Sequence, residues 1–374
     1  MPSEGLFDAL YARGAVAAQT DGRAWLAAML DVEAALARAC AAEGLIPAAS
    51  AAAIAAACQI DAFDLPAIAA ATGDTATPVI AIVAELRRAV GEQAAPHVHL
   101  GATSQDIIDS AAMLLARRAL EPLLADAGRA ASAAARLTEA HRESRMAART
   151  LLQQAQLSTF GLRAAGWLVG LDEACVRLRE VAERRLAVQM GGPVGTREPV
   201  VGARVAAELG LAEPTLPWGA IRVRPVELAS ALGVLAGVFA KIARDVELFA
   251  QNEVGELREG GGPGRGGSSA MAHKRNPVAS VAILACTTRV PGLVSTMLAA
   301  MAQEHERAAG AWQAEWGTLS DLLTLVGSAA AWSADLLGGL EVDVVRMREN
   351  AAGLDGSLDG VAPLIDRALA VTAR

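Results

Sequence analysis

The feature that most constrains the fold is a regular apolar seam in the segment that begins near Pro225. Its members, spaced alternately four and three residues apart, are Leu228, Leu232, Leu235, Phe239, Ile242, Val246 and Phe249. A seam of this period keeps one face of a helix against its neighbours for about three heptads. At about 1.5 Å per residue, such a helix is roughly 30 Å long or more. The pattern predicts a long helix inside a bundle and says nothing of function.

Helical periodicity also dominates the rest of the chain. It predicts long helices over residues 105–143 (with a possible break at 121–122), 158–185, 278–301 and 312–337, and a shorter one from Asp31 onward. Strand-like alternation is nearly absent. Only 3% of residues are aromatic although 53% are hydrophobic, so Ala, Leu and Val, two of them strong helix formers, fill the interior. We predict an all-α fold with a small N-terminal helical domain over 1–100, a central long-helix bundle over 101–340 and a short C-terminal tail over 341–374.

Charge and composition exclude several classes of protein. The net charge of −8 argues against a nucleic-acid binder and requires a local positive site for any anionic substrate. No run of 18 residues is both apolar and free of charged or turn residues, and residues 1–11 lack a basic region, so we expect no membrane span and no signal peptide. The four cysteines are far apart and are expected to be buried free thiols in the reducing cytoplasm: Cys40, Cys58, Cys175 and Cys286.

Residues 260–277 contain the highest concentration of side chains that could take part in catalysis or substrate binding. Six glycines and a proline surround Arg265 in residues 260–267, and the sequence Ser-Ser-Ala-Met-Ala-His-Lys-Arg-Asn-Pro follows. Glycines beside two hydroxyls and three basic side chains indicate a mobile lid. Residues 262–267 fit GxGxxG, but this match follows a helix and has no βαβ unit around it, and the P-loop ending GK[ST] is missing. A disordered linker is the alternative.

Residues 267–277 resemble the signature loop of the fumarase/aspartase superfamily, GSSxMPxKxNP, with Ala272 in place of a proline. Two further regions of that family should lie upstream. Residues 99–106, His-Leu-Gly-Ala-Thr-Ser-Gln-Asp, resemble the first, and residues 149–155, Arg-Thr-Leu-Leu-Gln-Gln-Ala, resemble the second. The turn at 191–196 matches the family's Gly-Gly-x-x-Gly-Thr. The resemblance covers most of the chain in the right order.

The resemblance implies a role for individual residues. Ser268 would be the catalytic serine, although physical reasoning alone leaves Ser269 equally open, and Lys274 would supply positive charge to the site. Thr103 and Ser104 would bind anions at a helix N-terminus, for which plain N-capping is the alternative. The substrate-binding set is His99, Thr103, Ser104, Gln153, His273, Asn276 and Arg307, while His97 and His141 are expected to be structural or exposed. Neither a metal nor another cofactor is expected.

One departure from the family selects a branch of it. Many lyases of the superfamily carry a histidine in the second region, where this chain has Leu151, which cannot transfer a proton. The cycloisomerase branch resembles this chain in lacking it, and residues 304–316 and 339–343 also resemble that branch. The implied reaction is the lactonisation of 3-carboxy-cis,cis-muconate. A fumarate-releasing lyase, such as adenylosuccinate lyase, and a non-enzymatic helical scaffold are the alternatives.

The family also implies an assembly. Its three regions meet in sites shared between the subunits of a homotetramer, which is joined through a core of long helices. The seam from Leu228 to Phe249 is what such a core requires. Because the chain stops soon after Asn350, we expect the family's C-terminal helical domain to be reduced.

Overall fold

A computed structural model of the protein describes residues 5–261, 265–271 and 273–373. Helices make up most of it. In the described part of the chain they are α1 Asp8–Tyr11, α2 Gly22–Ala42, α3 Ala48–Ala57, α4 Leu65–Thr75, α5 Val79–Ala89, α6 Gly91–Ala94, α7 Ser104–Ala140, α8 Phe160–Arg184, α9 Pro199–Leu209, α10 Val223–Phe249, α11 Val278–Ala299, α12 Ala311–Gly338, α13 Val344–Asn350 and α14 Val361–Leu369. Short 3₁₀ turns cover Ala17–Gln19, Ile60–Ala62, Ala95–His97 and Ala370–Ala373.

The predicted long helices are present within a few residues of their expected ends. The break considered near residues 121–122 was wrong, because α7 continues through Pro122. A proline inside a helix removes one backbone hydrogen bond and costs about 3 kcal/mol. Leu120 and Leu123, on either side of it, are fully buried in the bundle. This packing offsets the local cost.

The apolar seam of α10 holds this helix at the centre of the bundle. All seven of its apolar side chains are buried, and α10 packs against α8, α11 and α12. Helix α7 packs against α8 and α12, so the five longest helices share one core. The predicted all-α, long-helix bundle is therefore confirmed.

The N-terminal and C-terminal helices attach to this bundle in different ways. Helix α2 packs on α7 and α9, and buried side chains form one continuous core from Val16 to Met347. Helix α14 packs on α8 through a small separate cluster, made by Val361, Ile365 and Ala368 with Ala165. The proposed domain boundaries at residues 100 and 340 remain a prediction.

Two small β-ribbons contain the few strands in the described part of the chain, which agrees with the near absence of strand-like alternation in the sequence. Strands β1 (Arg145–Thr150) and β2 (Gln153–Thr159) form an antiparallel hairpin, and β3 (Leu257–Glu259) pairs with β4 (Leu340–Val342). The turn between β1 and β2 consists of Leu151 and Leu152, both with positive φ. Hairpin turns of this geometry favour Asn and Gly, so a Leu-Leu turn carries no sequence signal. The hairpin was therefore missed.

Two helices are long and apolar enough to span a membrane by length and composition, when a few charged or turn residues are allowed within the run. They are α10 and α11. Core helices of water-soluble bundles pass the same test, and 56% of the apolar window of α10 is buried against other parts of the structure. The finding is weak evidence for a membrane span.

The four cysteines are free, as predicted, and three of them are buried, whereas Cys58 is half-buried. Burial raises the pKa of each thiol, for Cys58 to about 12. Thiols in such surroundings are poor nucleophiles at neutral pH, since the thiolate is the reactive form. This fits the structural role expected from the sequence.

A buried ionic cluster fixes the start of α10 between α7 and α12. Arg222, immediately before α10, donates two hydrogen bonds to Asp109, of 2.7 and 3.0 Å, and further ones to Glu315, of 2.5 to 3.1 Å. Trp312 donates to the same Asp109 at 2.9 Å, and Gln303 donates to Glu315. Burial alone would lower the pKa of Arg222, but the two carboxylates outweigh it and raise the pKa. Arg222 therefore stays charged and locks three helices together.

Replacement of Arg222 is expected to be severe because it leaves two buried carboxylates without their cation. We predict that Arg222→Leu lowers the free energy of unfolding by about 3–5 kcal/mol. The matched control is Arg38→Leu, which removes the solvent-exposed ion pair between Arg38 and Glu208 and should cost about 1 kcal/mol or less. Urea denaturation of both variants provides the measurement. Equal losses would contradict the importance of the buried cluster.

Candidate active site

The first family region lies at the N-terminus of α7. Thr103 is the N-cap of this helix, in an extended conformation, and forms a capping box with Asp106, whose carboxylate accepts from the Thr103 N–H at 3.1 Å. Ser104 is the first helical residue. Thr103 is thus a helix cap, as the alternative interpretation held. The same terminus still offers the positive end of a 37-residue helix to an anion.

Asp106 connects this terminus to the glycine turn at residues 191–196. Its carboxylate is fully buried and accepts hydrogen bonds from the backbone N–H groups of Gly191 and Gly192, at 2.9 and 2.8 Å, and from the Gln189 side chain at 3.2 Å. Burial raises the pKa of Asp106 from its ordinary value of 3.8 to about 6, although these donors pull it down. The side-chain Oε1 of Gln189 in turn accepts from the N–H groups of Trp218 and Gly219. One acidic side chain therefore organises two loops.

Arg307 joins the same cluster from the loop before α12. Its guanidinium donates to the Gln105 side chain and to the Pro193 carbonyl, both at 3.3 Å. Residues far apart in the sequence, near 104, 193 and 307, therefore meet at one end of the bundle. The structure thus brings Arg307 to the helix terminus that carries Thr103 and Ser104. A shared role of these residues in anion binding stays a prediction.

His99 lies in the loop that leads to this terminus. Its backbone has a positive φ of 61°, and its Nδ1 is 2.5 Å from the carboxylate of the buried Glu33 on α2. Gly101 is also left-handed, and an added Cβ there would lie 2.9 Å from the Arg197 guanidinium. Arg197 donates to the Leu100 carbonyl at 2.7 Å. The loop is therefore tightly shaped by its surroundings.

The second family region forms the turn of the β1–β2 hairpin. Leu151 is 96% exposed, and Gln153, the first residue of β2, is exposed beside it. The neighbouring Gln154 donates to the Asn350 carbonyl at 2.9 Å, and Arg149 pairs with the buried Glu256, with contacts of 2.6 and 3.0 Å. The base of the hairpin is anchored to the protein, while its tip projects outward.

The signature loop folds around its serine and asparagine. The Ser268 Oγ accepts from the N–H groups of Ala270 and Met271 at 3.3 and 3.2 Å. The Asn276 side chain donates to the carbonyls of Gly266 and Gly267, so it closes the loop on itself. The side chains of His273 and Lys274 are exposed. Of the expected glycine-rich run, residues 262–264 lie outside the described residues, as does the departure at residue 272.

Within one chain, the predicted site residues fall into separate groups. Helices α7 and α12 run parallel, with Asp109 beside Trp312 at their starts and with Asp126 and Ala331 both next to Gly14 further along. Arg307 precedes the start of α12, whereas Arg265 of the signature loop pairs with Asp335 near its end, at 2.7 Å. At about 1.5 Å per residue, these two points on α12 are roughly 35 Å apart. Ser268 is therefore remote from the Thr103 cluster of its own chain.

Sequence reasoning missed the buried polar residues whose hydrogen bonds hold the loops of these groups in place. Asp106 could have been found as the second half of a capping box, since it stands three residues after Thr103. Glu33, Gln189 and Glu256 had no local signal, because their partners are distant in sequence. Among the described residues, no group of three or more His, Cys, Asp or Glu could hold a metal ion. The absence of a metal and of a cofactor stays a prediction.

Comparison with known proteins places the chain in a family of enzymes. A sequence profile of the lyase family matches residues 8–292, and the chain belongs to this family. Its relatives include the 3-carboxy-cis,cis-muconate cycloisomerase of Pseudomonas aeruginosa, which is 46% identical over 94% of this chain and 78% of the relative. The crystal structure of the 3-carboxy-cis,cis-muconate lactonizing enzyme of Pseudomonas putida superposes with a TM-score of 0.89 and 42% identity, over 92% of this chain and 79% of that one.

A relative with a different reaction is nearly as similar. The nitrosuccinate lyase of Streptomyces davaonensis is 43% identical over 92% of this chain and 76% of the relative. The resemblance to fumarase/aspartase enzymes and to their cycloisomerase branch, expected from the motifs, is confirmed. The non-enzymatic scaffold is left without a supporting observation.

The raised pKa of Asp106 predicts a pH-dependent stability. Between pH 3.8 and about 6, the unfolded chain loses the Asp106 proton while the folded protein keeps it. The contribution of this group is therefore present at low pH and lost as the pH rises through that window. The unfolding free energy of the wild type minus that of Asp106→Asn should fall by up to about 3 kcal/mol as the pH rises from below 3.8 to above 6. Urea denaturation at several pH values measures it, and a difference constant with pH would mean that Asp106 stays ionised.

Proposed function

We propose that the protein lactonises 3-carboxy-cis,cis-muconate to 4-carboxymuconolactone, a step in the catabolism of protocatechuate. The observation that carries the proposal is the similarity to several enzymes of that name, at 42–46% identity over more than 90% of this chain. The exposed Leu151 at the second family region supports it, because no proton-transferring histidine stands there. We place the reaction in the cytoplasm and expect it to need no cofactor.

The reaction requires stabilisation of a carbanion and delivery of one proton. A carboxylate oxygen of the substrate adds to a carbon–carbon double bond, and the electron pair moves to the carbon next to a second carboxylate, as an aci-carboxylate. That carbon then takes a proton, which completes the lactone. The protein must hold the extra negative charge and supply the proton.

Ser268 is proposed as the proton donor in the lactonising direction. Transfer of its hydroxyl proton leaves an alkoxide, which is a strong base in water and needs stabilisation. The N–H groups of Ala270 and Met271 point at the Ser268 oxygen and would stabilise that charge. This arrangement favours Ser268 over Ser269, which physical reasoning from the sequence could not separate. Lys274 would add positive charge when the loop meets the substrate.

The remaining proposed residues bind the three carboxylates of the substrate. Thr103, Ser104 and Arg307 surround the positive end of α7 and would hold one of them. His99 lies in the same loop. Gln153, His273 and Asn276 would complete the site from other segments, by donating hydrogen bonds. Each of these contacts is a proposal.

A site of this composition cannot form within one chain, since Ser268 and Thr103 lie at opposite ends of the bundle. We propose that the protein is a homotetramer in which different subunits supply the first region, the hairpin tip and the signature loop. The outward projection of Gln153 on a Leu-Leu turn fits such an exchange, because an exposed apolar turn gains from burial by a partner.

Elimination from a substituted succinate is the second candidate, and the nitrosuccinate lyase at 43% identity favours it. A fumarate-releasing lyase, such as adenylosuccinate lyase, belongs to the same class of reaction. The two candidates differ in product. A lactone has lost the conjugated diene of its substrate, whereas an elimination creates a new double bond and a leaving group.

The first experiment follows the ultraviolet absorbance of 3-carboxy-cis,cis-muconate with purified protein and a chelator. Loss of the diene signal with formation of a lactone is expected, and it would also establish that no metal is needed. No change, together with fumarate or a substituted fumarate released from adenylosuccinate or nitrosuccinate, would transfer the assignment to the lyase.

Replacement of the proposed proton donor is expected to stop turnover. Ser268→Ala should lower kcat by at least about a thousandfold, because the alkoxide-forming group is lost, with helicity and oligomer size unchanged. Ser269→Ala is the matched control and should retain most of the activity. Near-normal turnover of Ser268→Ala, measured with the same absorbance assay, would remove Ser268 from the mechanism.

Mixed oligomers test the shared site. Ser268→Ala and Thr103→Ala chains are each expected to be nearly inactive alone, whereas co-expressed chains should recover a clear fraction of wild-type activity. Sites that draw Ser268 from one variant and Thr103 from the other are then intact. Activity that stays at the level of the separate variants, despite mixed oligomers by mass spectrometry, would argue for a site within one chain.

A further inference from the structure

A buried carboxylate faces the back of the first family region. Glu33 lies in the middle of α2, its side chain is fully buried, and its Oε1 is 2.5 Å from the Nδ1 of His99. Its second oxygen, Oε2, is also buried and has no hydrogen-bond partner among the described residues. Among the described residues, the side chain of Glu33 therefore has one hydrogen-bond partner, His99.

Packing alone is a poor explanation for an acidic side chain at this place. Burial of a carboxylate is costly unless it is paired and hydrogen-bonded, and half of this one is unpartnered. An apolar residue of similar size would fill the same volume of the α2 interface without that cost. The interaction with His99 is therefore the feature that distinguishes Glu33 from a core residue.

The backbone on the other side of the contact is strained. His99 has a φ of 61°, a region that costs about 1 kcal/mol or more for a residue other than glycine. Arg197 holds the next residue, through the Leu100 carbonyl, and contacts the Cys40 sulfur of α2 at 3.1 Å. Glu33 and Arg197 thus fix the loop from behind, and the imidazole has one preferred placement.

The hydrogen bond also decides which ring nitrogen is available. The Glu33 carboxylate accepts from the Nδ1–H, which leaves Nε2 as the free ring nitrogen. In the imidazolium form both ring nitrogens are donors, so the Nε2–H can donate to an anion. The His99 side chain is 14% exposed, and no described residue forms a hydrogen bond to its Nε2. The ring therefore presents a single polar atom to its surroundings, in the loop that leads to the anion-binding end of α7.

We infer that Glu33 is a positioning residue for the substrate: it holds His99 through Nδ1, so that the Nε2–H of the imidazolium donates to a substrate carboxylate beside Thr103 and Ser104. The inference rests on the proposed function for the role of His99 as a substrate contact. It names a residue outside the three family regions, which acts only through the histidine.

The test is a double-mutant cycle on Glu33 and His99. The four proteins are the wild type, Glu33→Gln, His99→Asn and the double variant, and the probes are KM and kcat for 3-carboxy-cis,cis-muconate and the Kd of tricarballylate, a saturated tricarboxylate. Glutamine keeps the shape of Glu33 but removes the charge that orients the ring. Asp31→Asn is the matched control, since Asp31 is an acidic residue of the same helix that pairs with Arg118 on a partly exposed face.

Loss of an oriented, charge-assisted hydrogen bond is worth about tenfold or more in binding. We expect Glu33→Gln and His99→Asn each to raise KM and the tricarballylate Kd by about tenfold, with a smaller change in kcat. The double variant should be no worse than His99→Asn alone, because Glu33 acts through that ring. Asp31→Asn should bind like the wild type.

Two results would overturn the inference. One is an unchanged KM and Kd in Glu33→Gln. The other is an additive loss in the double variant, since a general structural effect of Glu33 would persist without the histidine. Failure of the proposed function is separate: the wild type would then not convert carboxymuconate, and the tricarballylate cycle, which needs no turnover, would still decide the role of Glu33.

Discussion

The packing of α7 against α12 is the constraint on which the rest of the structure depends. The two helices run parallel and are locked at their starts by Arg222, Asp109 and Glu315 in the bundle interior. This arrangement carries the first family region at one end and the signature loop near the other. Because helices are rigid over this length, no local loop movement could bring Ser268 to Thr103 of the same chain. The proposed homotetramer would complete the site by association of subunits.

The apolar and polar parts of the bundle have different tasks. The buried seam of α10 supplies most of the cohesion, and it needs only side chains of suitable size. The buried polar groups specify position instead. Asp106 sets the distance between the α7 terminus and the glycine turn, and Glu33 sets the orientation of His99. Each is buried with few alternatives for its hydrogen bonds, so each determines one arrangement of its loop.

The departures from the family are informative in opposite ways. Leu151 replaces a proton-transferring group and lies at an exposed turn with strained backbone, which points to a reaction without an external leaving group. Thr103, expected to bind an anion, also caps α7. The two roles are compatible, because a capped helix terminus still presents its dipole and its remaining N–H groups. Thr103 would thus bind substrate from a position where the fold already requires a helix cap.

The sequence alone determined the class of fold, the long helices and the three regions that resemble those of the family. Apolar periodicity is a local property, and motifs are contiguous, so both can be read along the chain. It did not reveal the β1–β2 hairpin, because a Leu-Leu turn has none of the residues that favour such turns. Nor could it assign Glu33 to His99 or Arg222 to Asp109 and Glu315. Those pairs are set by which helix faces meet, and only the tertiary structure decides that, since side chains distant in sequence interact once the backbone has brought them together.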